Sequence, residues 1–234
     1  LMTDLDIGMN QRLTAPFRWD DSRRYDRGKV MTAQMLEDGR DFGRYLDVDG
    51  DGIPYRTWPG THPERGAYFT RGTTKDAYAR YSEAGPDYVA NVQRLLKKFE
   101  TARSLVPAAV ERRAAQPASV GAIYYGSTSP AMNEAIEQLE ARHMQVDTLR
   151  VRAFPFGDEV ARFIAAHDTL FVVEQNRDGQ LRTMLVNELG IYPARLRPVL
   201  HYDGTPITAR FITDAIAERL SGANVKPLKR GKVA

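Results

Sequence analysis

Arg56 stands between Pro54 and Pro59, where a guanidinium held by its neighbours can grip a carboxylate through two parallel hydrogen bonds. The other reading of the same charge is a pair with one of the aspartates just before it, Asp47, Asp49 or Asp51. Arg56 belongs to the stretch Asp47–Gly72, DVDGDGIPYRTWPGTHPERGAYFTRG, which is too rich in Gly, Pro and charge to be a helix or a strand. An ordered loop of that length usually holds side chains over a ligand or a partner. Arg65, Arg71, His62 and Trp58 lie on it too, and Arg65 is the second cation expected to bind substrate. The start of the loop, Asp47-Val-Asp49-Gly-Asp51-Gly52, matches the first half of a calcium loop. Its twelfth position falls on Trp58 instead of a bidentate Glu, so an acidic turn with Asx-type hydrogen bonds is expected instead.

Two further polar stretches invite a binding role. Gly126-Ser127-Thr128-Ser129 joins an apolar run to a helical one, a place where N–H groups and the helix dipole attract anions. It lacks the full Gly-x-Gly-x-x-Gly of dinucleotide folds, so a plain structural turn stays open. Glu174-Gln-Asn176-Arg-Asp178-Gly179-Gln180 follows another apolar run. Glu174, Asn176 and Gln180 either line a site or satisfy a subunit interface, and the interface is preferred. His62, His143, His167 and His201 stand at no metal-ligand spacing, and no metal site is expected. His143 and His167 follow helical stretches and read as partners of the helix C-termini. Gly50-Asp51-Gly52 matches the opening of a thiamin diphosphate metal motif, but the next asparagine is Asn91, beyond a helical stretch, so the match is read as accidental.

Composition narrows the chemistry. The 234 residues contain no cysteine, which excludes a disulfide, a thiol nucleophile and a cysteine-held iron–sulfur cluster. No apolar run approaches the ~18 residues of a membrane span. No charged n-region and apolar stretch open the chain, so cytoplasmic residence is expected. The net charge is +3, and the one concentrated basic run, Lys226–Lys232, reads as a solvated end, so no nucleic-acid partner is expected.

The elements that must carry these residues alternate from about residue 118 onward. Strands are expected at Val120–Tyr125, Val146–Phe154, Thr169–Glu174 and Val199–Tyr202. Helices are expected at Ala131–His143, with Ser129 as N-cap, at Asp158–His167, at Gly179–Leu189 and at Thr208–Leu220. That alternation predicts an α/β domain with a doubly wound, mostly parallel sheet over 118–234. Residues 11–117 are expected to be irregular, with loop 47–72 and one helix bearing Val89, Val92, Leu95, Leu96 and Phe99 on one face. Its exit is bracketed by Pro107 and Pro117, with a linker between. Residues 1–10, LMTDLDIGMN, read as the end of a strand in a larger domain, and the chain as a fragment.

Several of these stretches, in order along nearly the whole chain, resemble the alpha subunit of 2-oxoacid:ferredoxin oxidoreductases, most of all the 2-oxoglutarate type. They are Asp4-Leu-Asp6-Ile-Gly8-Met-Asn10, the DGDGIPYRTWPGTH loop, Tyr68-Phe-Thr-Arg-Gly72 and Leu149-Arg-Val-Arg-Ala-Phe-Pro155. The others are Val173–Leu181, His201-Tyr-Asp-Gly204 and Pro206-Ile207-Thr208. The resemblance implies that residues 1–10 end a thiamin pyrimidine-binding domain and that 118–234 is a transketolase C-terminal-like domain. It implies oxidation of a 2-oxoacid, with the acyl group passed to coenzyme A and electrons to ferredoxin. Thiamin diphosphate with Mg²⁺ and an iron–sulfur cluster would lie mainly outside this chain, the diphosphate site and cluster on a beta subunit, in a hetero-oligomer. Arg56 matches the Arg of the family's Gly-Ile-x-x-Arg segment, which faces the active site. Two departures are visible. The family's Tyr-Pro-Ile-Thr-Pro type motif is absent, and Thr74-Lys75-Asp76 stands where members often carry Gly-His-Asp or Gly-His-Asn. Pyruvate or a branched-chain 2-oxoacid are the alternative substrates, and a non-enzymatic oligomerisation or anion-binding module is the alternative function. The isolated chain is expected to be inactive.

Overall fold

A computed structural model of the chain describes Gly8, Gln11 and residues 13–222. The expectations for residues 1–10 (Gly8 apart) and for the Lys226–Lys232 run therefore lie outside the described residues. The chain divides into two compact units, one spanning Thr14–Val106 and the other running from Pro107 onward.

The second unit is a five-stranded, mostly parallel sheet clothed by helices. Its strands are β1 (Val110–Arg112), β2 (Val120–Tyr125), β3 (Asp147–Val151), β4 (Thr169–Glu174) and β5 (Leu196–Leu200), in the spatial order β1-β3-β2-β4-β5. Strands β2 to β5 run parallel, and β1 closes one edge antiparallel to β3, pairing Val110 with Arg150 and Arg112 with Thr148. The period-2 alternation of a strand explains the two cores. From β2 and β4, Ala122, Tyr124, Phe171 and Val173 point to one face, and Ile123, Leu170 and Val172 to the other.

The first face is covered by Met132, Ala135, Ile136 and Leu139 of Ser129–Ala141, and by Ile212 and Ile216 of Ala209–Leu220. The second is covered by Val160, Phe163 and Ile164 of Asp158–Ala166, and by Leu181 and Leu185 of Gln180–Leu189. Each of these helices places its apolar residues three or four apart, as an amphipathic helix must.

Details differ from the sequence reading. The segment between Pro107 and Pro117, expected as a linker, carries the edge strand β1. Strand β5 lies earlier than expected and contains Pro198, which an edge strand tolerates because one side of its ladder is unpaired. Ser129 caps nothing: it is the first residue of its helix, buried, with Thr128 in the cap position.

The unit Thr14–Val106 is built differently. Two helices, α1 (Ala33–Glu37) and α2 (Gly85–Arg103), stand among long irregular segments. Numbering the helices of the second unit onward gives α3 (Ser129–Ala141), α4 (Asp158–Ala166), α5 (Gln180–Leu189) and α6 (Ala209–Leu220). Helix α2 buries none of its residues within the described structure. It seats on the acidic turn at Gly52, whose φ is +80° and where a Cβ would lie 2.3 Å from the backbone nitrogen of Lys98. Only glycine permits that approach.

Candidate functional site

The loop 47–72 is ordered by its own side chains. Asp47 accepts from the N–H groups of Asp51 and Gly52, and Asp51 from that of Ile53. These are the Asx-type bonds expected of an acidic turn. The Lys29 ammonium lies 2.6 Å from Asp49 Oδ2 and 2.7 Å from Asp51 Oδ2. It stands where a cation would sit on such a turn. Burial would lower the Lys29 pKa, but hydrogen bonds from it to Asp49 and Asp51 more than offset this and raise it. Farther on, Thr57 donates to the Gly66 carbonyl at 2.6 Å, and His62 Nδ1 accepts from the N–H groups of Glu64 and Arg65.

Arg56 is half-buried and held on both sides. Its backbone bridges to the strand-like segment at Val30, with the Arg56 N–H on the Lys29 carbonyl and its carbonyl on the Met31 N–H. Its guanidinium donates to the Arg27 carbonyl and lies over the Trp58 ring, 4.6 Å from the centroid. Among the described residues no carboxylate pairs with it, so the alternative of a pair with Asp47, Asp49 or Asp51 is not what the structure has; Lys29 takes Asp49 and Asp51 instead. The guanidinium is thus stacked and keeps donors that the Arg27 carbonyl does not take. Arg65 is more committed: its guanidinium donates at 2.8 Å to the Leu36 carbonyl, near the C-terminus of α1.

In the other unit, β2 and β4 are adjacent and parallel, yet the chain leaves them for opposite sides of the sheet. Their carboxyl ends thus form a topological switch point, the place where open α/β sheets bind ligands. Gly126 and Ser127 stand on one lip, half-buried, and a Cβ at Gly126 would meet no atom within 4 Å. Gln175, which the sequence reading passed over, organises the crevice. Its Oε1 accepts from the Ile207 N–H at 3.3 Å, which fixes the amide so that Nε2 faces Ser127 Oγ at 2.9 Å and Thr128 Oγ1 at 3.3 Å. Both hydroxyls accept from Gln175, and of the two only Ser127, half-buried on the lip, stands where it could also meet a ligand; Thr128 is buried. The only sequence signal of Gln175 is position, directly after Glu174 at the end of a central strand.

Glu174 and Asn176 do something else. The Glu174 carboxylate has no solvent exposure and accepts from the N–H groups of Leu181 at 2.7 Å and Arg182 at 3.0 Å. Asn176 donates to Glu174 and accepts from the N–H groups of Asp178 and Gln180. Together they take the N–H groups of the first three residues of α5, Gln180, Leu181 and Arg182. Gln180 opens that helix and is exposed.

A cluster around the buried Asp147 and His167 closes the opposite end of the sheet. Asp147, at the start of β3, accepts from Ala114 N–H at 2.8 Å, Arg113 at 2.9 Å and His167 Nε2 at 3.1 Å, while His167 Nδ1 meets the Phe163 carbonyl at 2.7 Å. His167 follows α4 and holds its last turn, as expected for that histidine. Burial pushes the Asp147 carboxyl up, but those donors outweigh it and hold it below the ordinary carboxylate value.

No family model matches this sequence. Among solved structures, the 2-oxoglutarate:ferredoxin oxidoreductase from Magnetococcus marinus with 2-oxoglutarate, coenzyme A and succinyl-CoA bound superposes with a TM-score of 0.68 at 21% identity. That match covers 78% of this chain and 32% of that one. A split-gene transketolase, as an inactive beta4 tetramer, superposes with a TM-score of 0.39 at 18% identity over 48% of this chain and 41% of that one. The alpha chain of a probable 2-oxoacid ferredoxin oxidoreductase from Thermoplasma acidophilum gives 0.34 at 24% identity, over 49% of this chain and 97% of that one. The chain thus spans about a third of the length of the first of these, with which it shares its fold.

Proposed function

We propose that this chain is part of a 2-oxoacid:ferredoxin oxidoreductase, contributing substrate-side residues to the oxidative decarboxylation of a 2-oxoacid, with 2-oxoglutarate favoured. The observation that carries the reading is the shared fold over 78% of the chain with a 2-oxoglutarate:ferredoxin oxidoreductase. It is supported by the order of the motifs along the sequence and by the guanidinium of Arg56 stacked on Trp58 with no carboxylate partner among the described residues. In this reading Arg56 holds a substrate carboxylate and fixes the keto carbon for attack, a positioning role. Arg65, tied to Leu36, shapes the loop and adds positive potential.

The chain has no cysteine to hold a cluster. In this reading the thiamin diphosphate with its Mg²⁺, the iron–sulfur cluster and the ferredoxin contact lie mainly on the rest of a hetero-oligomer, a beta subunit above all, with coenzyme A as co-substrate. No helix of the described residues is long and apolar enough to cross a membrane.

The test is coenzyme A-dependent viologen reduction by the complex containing this chain, with 2-oxoglutarate and with pyruvate, for wild type and Arg56→Ala. A rise in KM for 2-oxoglutarate equivalent to about 3–5 kcal/mol is expected if the grip is desolvated. A loss under about 1 kcal/mol would return Arg56 to a structural role. No turnover of any 2-oxoacid by an intact complex would overturn the enzyme reading.

A further inference from the structure

Three cations crowd one aromatic ring in the unit Thr14–Val106. Arg44 Cζ lies 5.5 Å, Lys75 Nζ 5.3 Å and Arg94 Cζ 5.6 Å from the centroid of Tyr45, and Arg44 also lies 5.9 Å from that of Tyr68. All three are half-buried, where charges are screened less than at an open surface. Among the described residues no carboxylate lies within ion-pairing distance of any of them. The nearby acids are spent elsewhere. Asp47, whose charge acts on Arg94, accepts from the N–H groups of Asp51 and Gly52, and Asp76 accepts from those of Tyr78 and Arg80.

The donors of the cluster are correspondingly idle. Arg94 donates one N–H to the Gly52 carbonyl at 3.2 Å, and its Nε is buried with no partner. Lys75 makes a long bond of 3.4 Å to the Gly72 carbonyl. Burial and then the charge of Arg44 lower the Arg94 pKa, so the folded protein keeps like charges together against their repulsion. A cation over a ring gains about 0.5–1 kcal/mol when exposed, which accounts for one such contact but not for gathering three charges on one tyrosine.

We propose that Arg44, Lys75 and Arg94 around Tyr45 form a binding site for a small multivalent oxyanion of the phosphate or diphosphate type. Two guanidinium forks and one ammonium match an anion with several oxygens around a compact charge, and a monocarboxylate would satisfy only one of them. The Tyr45 hydroxyl, 3.5 Å from Thr70 Oγ1, adds a neutral donor at the rim.

The experiment is calorimetric titration of the full chain with pyrophosphate, inorganic phosphate and acetate at low and at physiological ionic strength. Saturable binding is expected in the order pyrophosphate, phosphate, acetate, weakening with salt. Arg44→Gln and Lys75→Gln should each weaken pyrophosphate about 5–10-fold. Pyrophosphate should raise the melting temperature of the wild type but not of the double variant. A variant with neutral residues at Lys226, Lys229, Arg230 and Lys232 should bind as the wild type does. Absence of saturable binding, equal affinity in R44Q and K75Q, or loss that follows the neutralised C-terminal run would each overturn the site. So would saturation by polyglutamate without any by pyrophosphate.

Discussion

At position 174 a carboxylate closed off from solvent accepts hydrogen bonds from Leu181, Arg182 and Asn176, and so closes the start of α5. Glu174→Gln keeps the shape but turns one acceptor into a donor facing an N–H group. We expect it to cost about 2–3 kcal/mol in urea unfolding, the range for losing a charged buried hydrogen bond. An unchanged midpoint would show that the helix end can find other acceptors. Asp147 permits a sharper test because its folded pKa lies below the usual value. A depressed carboxylate stabilises the fold above the unfolded value of about 3.9, and loses that contribution as pH falls through the folded value. Asp147→Asn should therefore cost roughly 2–3 kcal/mol at neutral pH, since the carboxylate it removes accepts from the Ala114 N–H, Arg113 and His167. The gap between variant and wild type should narrow as the pH is lowered below about 4. A gap independent of pH would mean the carboxylate's charge contributes nothing.

Helix α2 meets the acidic turn closely at Gly52. At Gly52 an alanine Cβ would lie 2.3 Å from Lys98 N and 2.8 Å from the Arg94 carbonyl, at a φ of +80°. The conformation alone costs an alanine about 1–2 kcal/mol, and backbone on both sides of the clash cannot yield as a side-chain end could. Gly52→Ala should therefore loosen α2 from the turn, seen as faster amide hydrogen exchange across 85–103 with exchange in β2 and β4 unchanged. Equal exchange in α2 would refute that seating. This glycine was visible in the sequence as part of a turn, but the helix it meets, more than forty positions on, was not.

The same division runs through the other elements. Strands β2 and β4 were legible because their central residues, 121–124 and 170–173, are apolar and buried on both faces. Strand β1, Val-Glu-Arg, is exposed along its length and owes its existence to pairing with β3, for which one-dimensional patterning carries no sign. In the candidate sites, Arg56 was legible from its proline-bounded position. Its partners Arg27 and Trp58, the Lys29 clamp on the acidic turn and the Gln175 bridge are tertiary, and spacing alone could not reveal them.

For the molecule as a whole, the two units differ in what holds them. From Pro107 onward, both faces of the sheet bury continuous apolar clusters, and every strand finds its partners inside the unit. In Thr14–Val106 the buried apolar side chains among the described residues are Met31, Leu36, Pro54 and Ala79; Asx turns, ring–cation contacts and the Lys29 ion pairs do much of the rest. At about 25 cal/mol per Å² of apolar area, so small a core cannot offset a backbone ordering cost of about 1–2 kcal/mol per residue. Residues 107–234 produced alone should therefore unfold in one cooperative transition with protected amides in β2, β3 and β4. Residues 14–106 produced alone should show no cooperative transition and should be cut rapidly by protease in loop 47–72. Should 14–106 instead unfold cooperatively, its order would rest on polar contacts strong enough to stand without a core. The Lys29→Met variant would then separate the two accounts, abolishing the transition only if the acidic turn is what organises the unit.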